Sequence, residues 1–243
     1  MVKIISECNV LFNDCGFSYA ICGGYALELY YGKKLRTHGD IDITVFEEDR
    51  AKSVEYMLNK GWNVYEHKAD WVDNKKANSW LRLITNPNDE RLPKLSVVWV
   101  LKPGCTLVEM KTKSGEKNIY DYEIKSNEQL YFDFFEINFN KRENGNFVFD
   151  SFNSQGKYIT RGLDKAVLYT NDGIPYLSPE VKLFMNSHPA YLKSDYHRDK
   201  SMLDFNTIAP LLTKESRAWL INALETAYPD GLERITRLKK LDE

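Results

Sequence analysis

The chain has 243 residues, 43% hydrophobic and 28% charged, a composition that supports one large or two modest buried cores and excludes a disordered chain. Its formal net charge of −2 argues against nucleic acid held on a general basic face, and no stretch approaches the ~20 apolar residues of a bilayer-spanning helix. Cys8, Cys15, Cys22 and Cys105 form no CxxC pair and have no His-rich companion, so they read as reduced thiols of a cytoplasmic protein rather than as a zinc or redox site.

In chain order, Ile4, Ile5, Cys8, Leu11 and Phe12 recur at helical spacing, and Gly16 supplies a stop. Glu7 and Asn9 interrupt this apolar run, which argues against a signal peptide. A short strand over 18–22 meets Gly23-Gly24, and a helix over 25–31 ends at Gly32. The basic loop 33–38 leads into a strand over 40–46, and Glu47, Glu48 and Asp49 then favour the start of a helix that runs to Lys60. Residues 62–149 read as β-rich, with strands over 62–66, 95–101, 119–124, 129–139 and 146–149, a polar surface loop over 75–93, and an Asn144-Gly145 hairpin turn. After Pro175 the pattern is helical. Ser178-Pro179 opens a helix through His188, a second covers 198–212 with a break at Pro210, and Thr213 caps a third that stops at Pro229. The expectation is an α+β protein, with an α/β domain over 1–155 followed by a helical domain over 156–243.

The chemistry centres on Asp40-Ile41-Asp42-Ile43-Thr44-Val45. Residues two apart on a strand share a face and rise by roughly 3.3 Å each, so the two carboxylates stand about 6.6 Å apart along the chain. Like charges in apolar company demand a compensating cation. Two acids so placed can bracket two divalent ions about 3.5–4 Å apart, the geometry of phosphoryl transfer, and Mg²⁺ suits their oxygen ligands. Gly23-Gly24 at the head of a helix lets backbone N–H groups approach a phosphate, although it satisfies neither the Rossmann nor the Walker pattern. A third carboxylate from another strand is expected. Asp133 and Glu136 are the candidates on opposite faces of 129–139, and Glu136 is preferred.

The run GGYALELYYGKKLRTHGDIDITVF from Gly23 resembles the Gly-Gly, Arg-x-His-x-Asp-x-Asp signature of the aminoglycoside and lincosamide nucleotidyltransferases, within the DNA polymerase β-like nucleotidyltransferase superfamily. Downstream, the segment from Asp172 to Val181, together with Lys200, Asp204-Phe205 and Leu211-Leu212, fits the same pattern, whereas Tyr25 and Ser201 depart from it. The resemblance implies a polymerase β-like mixed-sheet domain followed by helices. It also implies transfer of a nucleoside monophosphate, typically AMP, from a nucleoside triphosphate to a hydroxyl of a small acceptor. Asp40, Asp42 and Glu136 would be the catalytic acids and hold two Mg²⁺ ions, with Glu136 either ligating a metal or taking the acceptor proton. Gly23, Gly24, Arg36 and Lys200 would bind the nucleotide. Alternatives stay open: Arg36 pairing with a local acid, His38 serving the loop, Lys200 as a surface residue, a toxin-like enzyme acting on tRNA or protein, a non-catalytic nucleotide-binding module, and a glycosyltransferase-type DxD. The acceptor and the oligomeric state are not encoded in any pattern of this sequence.

Overall fold

The computed structural model describes residues 3–38, 40–72, 75–111, 120–126, 134–150, 158–188, 192 and 195–241. Helix α1 (Lys3–Phe12) buries Ile4, Ile5, Cys8 and Phe12 at the spacing of one helical face. Strand β1 (Tyr19–Cys22) runs into α2 (Gly23–Tyr31), which ends at Gly32 in the left-handed conformation (φ 73°), its N–H returning to the Glu28 carbonyl at 2.8 Å. Next come β2 (Ile41–Phe46), a single 3₁₀ turn over Glu47–Asp49, and α3 (Arg50–Asn59). Five strands follow: β3 (Asn63–Val72), β4 (Lys75–Ile84), β5 (Val97–Leu101), β6 (Cys105–Lys111) and β7 (Tyr120–Ser126).

A hairpin of β8 (Phe134–Glu143) and β9 (Asn146–Val148) turns at Asn144 (φ 49°) and Gly145 (φ 77°), the positive φ pair that an Asn-Gly turn requires. Beyond it lie β10 (Thr160–Gly162), the short α4 (Leu163–Ala166), β11 (Val167–Tyr169) and β12 (Pro175–Leu177). The remainder is helical: α5 (Pro179–Met185), α6 (Asp195–Ile208), α7 (Lys214–Ala227) and α8 (Glu233–Lys240). Thr213 caps α7, its hydroxyl oxygen accepting from the Ser216 N–H at 3.1 Å. No helix among the described residues is long and apolar enough to cross a membrane.

The chain forms two compact units, one of Met1–Tyr19 with His38–Phe139 and the other of Ala20–Thr37 with Asn140–Glu243. In the first, strands follow the order β2-β8-β5-β3-β4. β8, β5, β3 and β4 are successively antiparallel, and the register sets Glu136 opposite Trp99 and Trp99 opposite Tyr65. Ile41, Ile43, Val45, Val64, Val98, Val100, Phe135 and Ile137 are fully buried, and Phe135 meets Phe12 and Trp62 at centroid distances of 5.5 and 5.1 Å. β6 and β7 form a separate antiparallel pair. In the second unit β12 lies parallel to β1 and antiparallel to β11, while Phe149, Phe184 and Trp219 pack together.

The α+β class expected from sequence is borne out, with corrections in detail. Residues 75–93 are not a loop throughout. Their first half is β4, paired with β3 from Val64–Ile84 to Val72–Lys75. The polar composition of 75–79 conceals a strand whose pairing is imposed by its neighbour rather than by its own hydrophobic alternation. The strand expected over 129–139 is β8, which continues to Glu143, while 129–133 lies outside the described residues. β6, β10, β11, β12 and α8 carry no strong sequence signal, and α5 stops at Met185, short of His188.

Candidate functional site

In the first unit, Asp42 sits on β2 between the fully buried Ile41 and Ile43, and Asp40 immediately precedes the strand; both are half-buried. The strand was expected to start at Asp40, whereas it starts at Ile41. Glu136 is half-buried on β8, the neighbour of β2, between Phe135 and Ile137, which are fully buried. The period of two along a strand puts Asp42 on the opposite face of β2 from Ile41 and Ile43, and Glu136 on the opposite face of β8 from Phe135 and Ile137. Asp133 lies outside the described residues.

Among the described residues no three His, Cys, Asp or Glu side chains form a ready-made metal cage. The donor chemistry nevertheless fits Mg²⁺, which is commonly held by one or two carboxylates and completes its shell with water and substrate phosphate oxygens. Asp40 and Asp42 are such a pair.

The second unit carries the other sequence candidates. Gly23 and Gly24 are buried in the first turn of α2, with Gly23 at φ 67°, and Cys22 at the N-cap supplies no side-chain cap. A positive φ at the head of a helix favours glycine, because a side chain there meets the backbone. The following loop is fastened by Glu28, 7% exposed, whose Oε1 accepts the N–H groups of Leu35 (2.8 Å) and Arg36 (3.2 Å). The Arg36 Nε donates to the buried Asp204 of α6 at 3.3 Å, and Asp204 also accepts from Asn186 Nδ2 at 3.4 Å. Arg36 thus pairs with an acid 168 positions away in the chain rather than with one beside it in sequence, and Asp204 and Glu28 together fix its position. Lys200 is half-buried on α6.

Sequence reading assigned no role to Glu28 or Asp204. The signal for Glu28 was a carboxylate four residues before the helix-ending Gly32. Ser201, a departure from the family pattern, also has a structural account: its hydroxyl donates to the Asn186 carbonyl (2.9 Å) and accepts from Arg234 Nη2 (2.7 Å). Burial draws the Arg234 guanidinium down to about 10. A second buried ion pair joins Arg161 of β10 to Glu180 of α5 at 2.7 Å, with the guanidinium 5.2 Å over the Trp219 ring.

In the first unit a cleft of about 360 Å³ opens against the 3₁₀ turn after β2, lined by Glu47, Glu48, Arg50, Asp89 and Glu90 among others. It contains none of Asp40, Asp42 and Glu136. Two of its acids are already paired, Glu47 with Arg50 (3.3 Å) and Asp89 with Arg91 (2.5 Å). The Arg91 hydrogen bond holds the Asp89 carboxyl below its ordinary range.

The likeness read from the Gly-Gly to Asp-x-Asp run is borne out by a family match: residues 5–82 fit the model described as aminoglycoside-2''-adenylyltransferase, a family of nucleotidyltransferase enzymes. No curated protein sequence matches the chain significantly. Three solved structures are similar over most of their lengths. Lincosamide antibiotic adenylyltransferase LnuA with lincomycin bound is 16% identical, covering 93% of this chain and 98% of that one, at a TM-score of 0.41. The antibiotic-resistance factor ANT(2'')-Ia in solution is 12% identical over 94% and 93%, at 0.45. An antigenic nucleotidyltransferase-like protein from Paracoccidioides brasiliensis is 15% identical over 98% and 91%, at 0.44. At such scores the structural likeness carries no functional weight.

Proposed function

We propose that this chain, whose residues 5–82 match the aminoglycoside-2''-adenylyltransferase family, transfers a nucleoside monophosphate, AMP from ATP, to a hydroxyl of a small antibiotic-like acceptor of the aminoglycoside or lincosamide kind. The observation that carries it is the pair Asp40 and Asp42, half-buried carboxylates at a strand whose alternate residues are fully buried. In functional terms residues 1–155 form the transferase domain and 156–243 the helical one.

Asp40 and Asp42 would hold the Mg²⁺ ions through their carboxylate oxygens. When bound, the metal supplies Lewis-acid stabilisation of charge on the α-phosphate and lowers the pKa of the acceptor hydroxyl. Gly23 and Gly24 present main-chain N–H groups at a helix head, where negative charge is favoured, and so serve the triphosphate. Arg36, anchored through Nε to Asp204, presents its guanidinium to phosphate oxygens, and Lys200 adds a second positive charge. Glu136 takes the proton of the acceptor hydroxyl or supplies a further oxygen to a metal. The acceptor oxygen then bonds to the α-phosphorus, the bond from that phosphorus to the bridging oxygen breaks, and pyrophosphate leaves with the electron pair.

Purified protein with Mg²⁺, α-labelled ATP and a panel of hydroxylated acceptors should give labelled acceptor and pyrophosphate in equal amounts. Absence of transfer from every nucleoside triphosphate to every acceptor would refute the reading. Growth arrest on expression, abolished by Asp42→Asn, would instead favour the toxin-like reading.

A further inference from the structure

We propose that Tyr65, His67 and Trp99 form a shelf that seats the acceptor's ring in the reaction proposed above, taking a hydroxylated, sugar-like ring whose apolar face lies against the indole. The inference rests on that reaction for its occupant, and on the sheet of the first unit for its geometry.

The register places these residues side by side. Trp99 on β5 is directly opposite Glu136 on β8, and Tyr65 on β3 is directly opposite Trp99. Directly opposed residues in antiparallel strands project from the same face, so the sheet presents Glu136, Trp99 and Tyr65 in one row. His67, two residues beyond Tyr65, shares that face, and its ring stacks on Trp99 at 4.2 Å between centroids and 17° between planes. The other face is closed: Val64, Val98, Val100, Phe135 and Ile137 are fully buried there. Trp99, Tyr65 and His67 are only half-buried. An indole one strand away from the candidate proton acceptor, and a phenol and an imidazole two strands away, are thus kept partly open to solvent.

The occupant follows from the chemistry of the row. An acceptor must deliver a hydroxyl to Glu136 while the rest of it lies over the adjoining strand, and that strand offers a π surface. Saturated hydroxylated rings present C–H groups on one face and hydroxyls at the rim. Aromatic side chains take up such an amphipathic body, offering contact area at low entropic cost and, in Tyr, a polar rim of their own. The shelf therefore discriminates among acceptors by ring shape, whereas the acids act on whichever hydroxyl it delivers.

The test uses the full-length protein with lincomycin and tobramycin as binding probes in calorimetry, together with steady-state transfer from ATP. Trp99→Ala should weaken binding of a probe about tenfold and raise the acceptor KM by a similar factor, with the KM for ATP and kcat little changed and the circular dichroism spectrum preserved. Trp99→Phe should recover most of the loss, since it restores a π face, and His67→Ala should give an intermediate loss. Wild-type affinity and acceptor KM in Trp99→Ala would overturn the shelf, as would failure of the wild type to bind either probe. Trp99-dependent binding without transfer to any acceptor would support the shelf and sink the nucleotidyl-transfer reading instead.

Discussion

Replacing Asp204 tests how Arg36 is held. The carboxylate is 1% exposed overall and accepts from the Arg36 Nε at 3.3 Å, while the Arg36 side chain keeps 19% of its surface in solvent. Two unit charges at that distance attract by about 5 kcal/mol at an effective dielectric of 20, and desolvation of the acid offsets much of this. Removing one member of a buried pair costs about 3–5 kcal/mol, and the partial exposure of Arg36 lowers the expectation for Asp204→Ala to about 2–3 kcal/mol. For a chain of this size, that is a fall of about 4–12 °C in the melting temperature. Asp204→Asn keeps the volume and an oxygen for Asn186 but removes the charge, so it should lose less stability and yet weaken ATP binding through a misplaced Arg36. Urea unfolding and ATP titration of both variants measure the two effects. Stability within 0.5 kcal/mol of wild type and unchanged ATP affinity in both variants would refute the anchoring role.

Three further outcomes are expected. The Arg161–Glu180 pair is more deeply buried, with side chains 9% and 3% exposed, so Glu180→Ala should destabilise by about 3–5 kcal/mol in urea unfolding, and Glu180→Gln by less. Burial pushes the Cys8 thiol up to about 12, so the thiolate is absent from the native protein at pH 8. Iodoacetamide with peptide mapping should leave Cys8 unmodified until urea unfolds the chain, and rapid native labelling would contradict its burial. Trp99→Ala should raise the acceptor KM selectively, as set out above.

The candidate acids Asp40 and Asp42 stand out in the sequence because Gly23-Gly24, Arg36 and Asp40-x-Asp42 are close in the chain, where spacing alone orders them. The same holds for turns and caps with strong local chemistry, such as Gly32, Asn144-Gly145 and Thr213. What the sequence hid depends on long-range pairing. Trp99 and Glu136 are 37 positions apart and become neighbours only through antiparallel register. β4 was obscured by polar residues whose strand conformation is set by β3. Asp204 and Glu28 were hidden differently, since an acid in an amphipathic helix reads as solvated until its partner's position is known. Ser201 looked like a loss from the family pattern, yet it bonds both Asn186 and Arg234.

The proposed role of Asp40 and Asp42 in a metal-dependent nucleotidyl transfer is tested most directly by label transfer from α-labelled ATP by wild type, Asp40→Asn and Asp42→Asn, with and without Mg²⁺. Labelled acceptor is expected only from wild type with Mg²⁺, with a fall of at least about a thousandfold in each folded variant. Transfer that persists in either variant, or that is indifferent to chelation of divalent metal, would contradict that role.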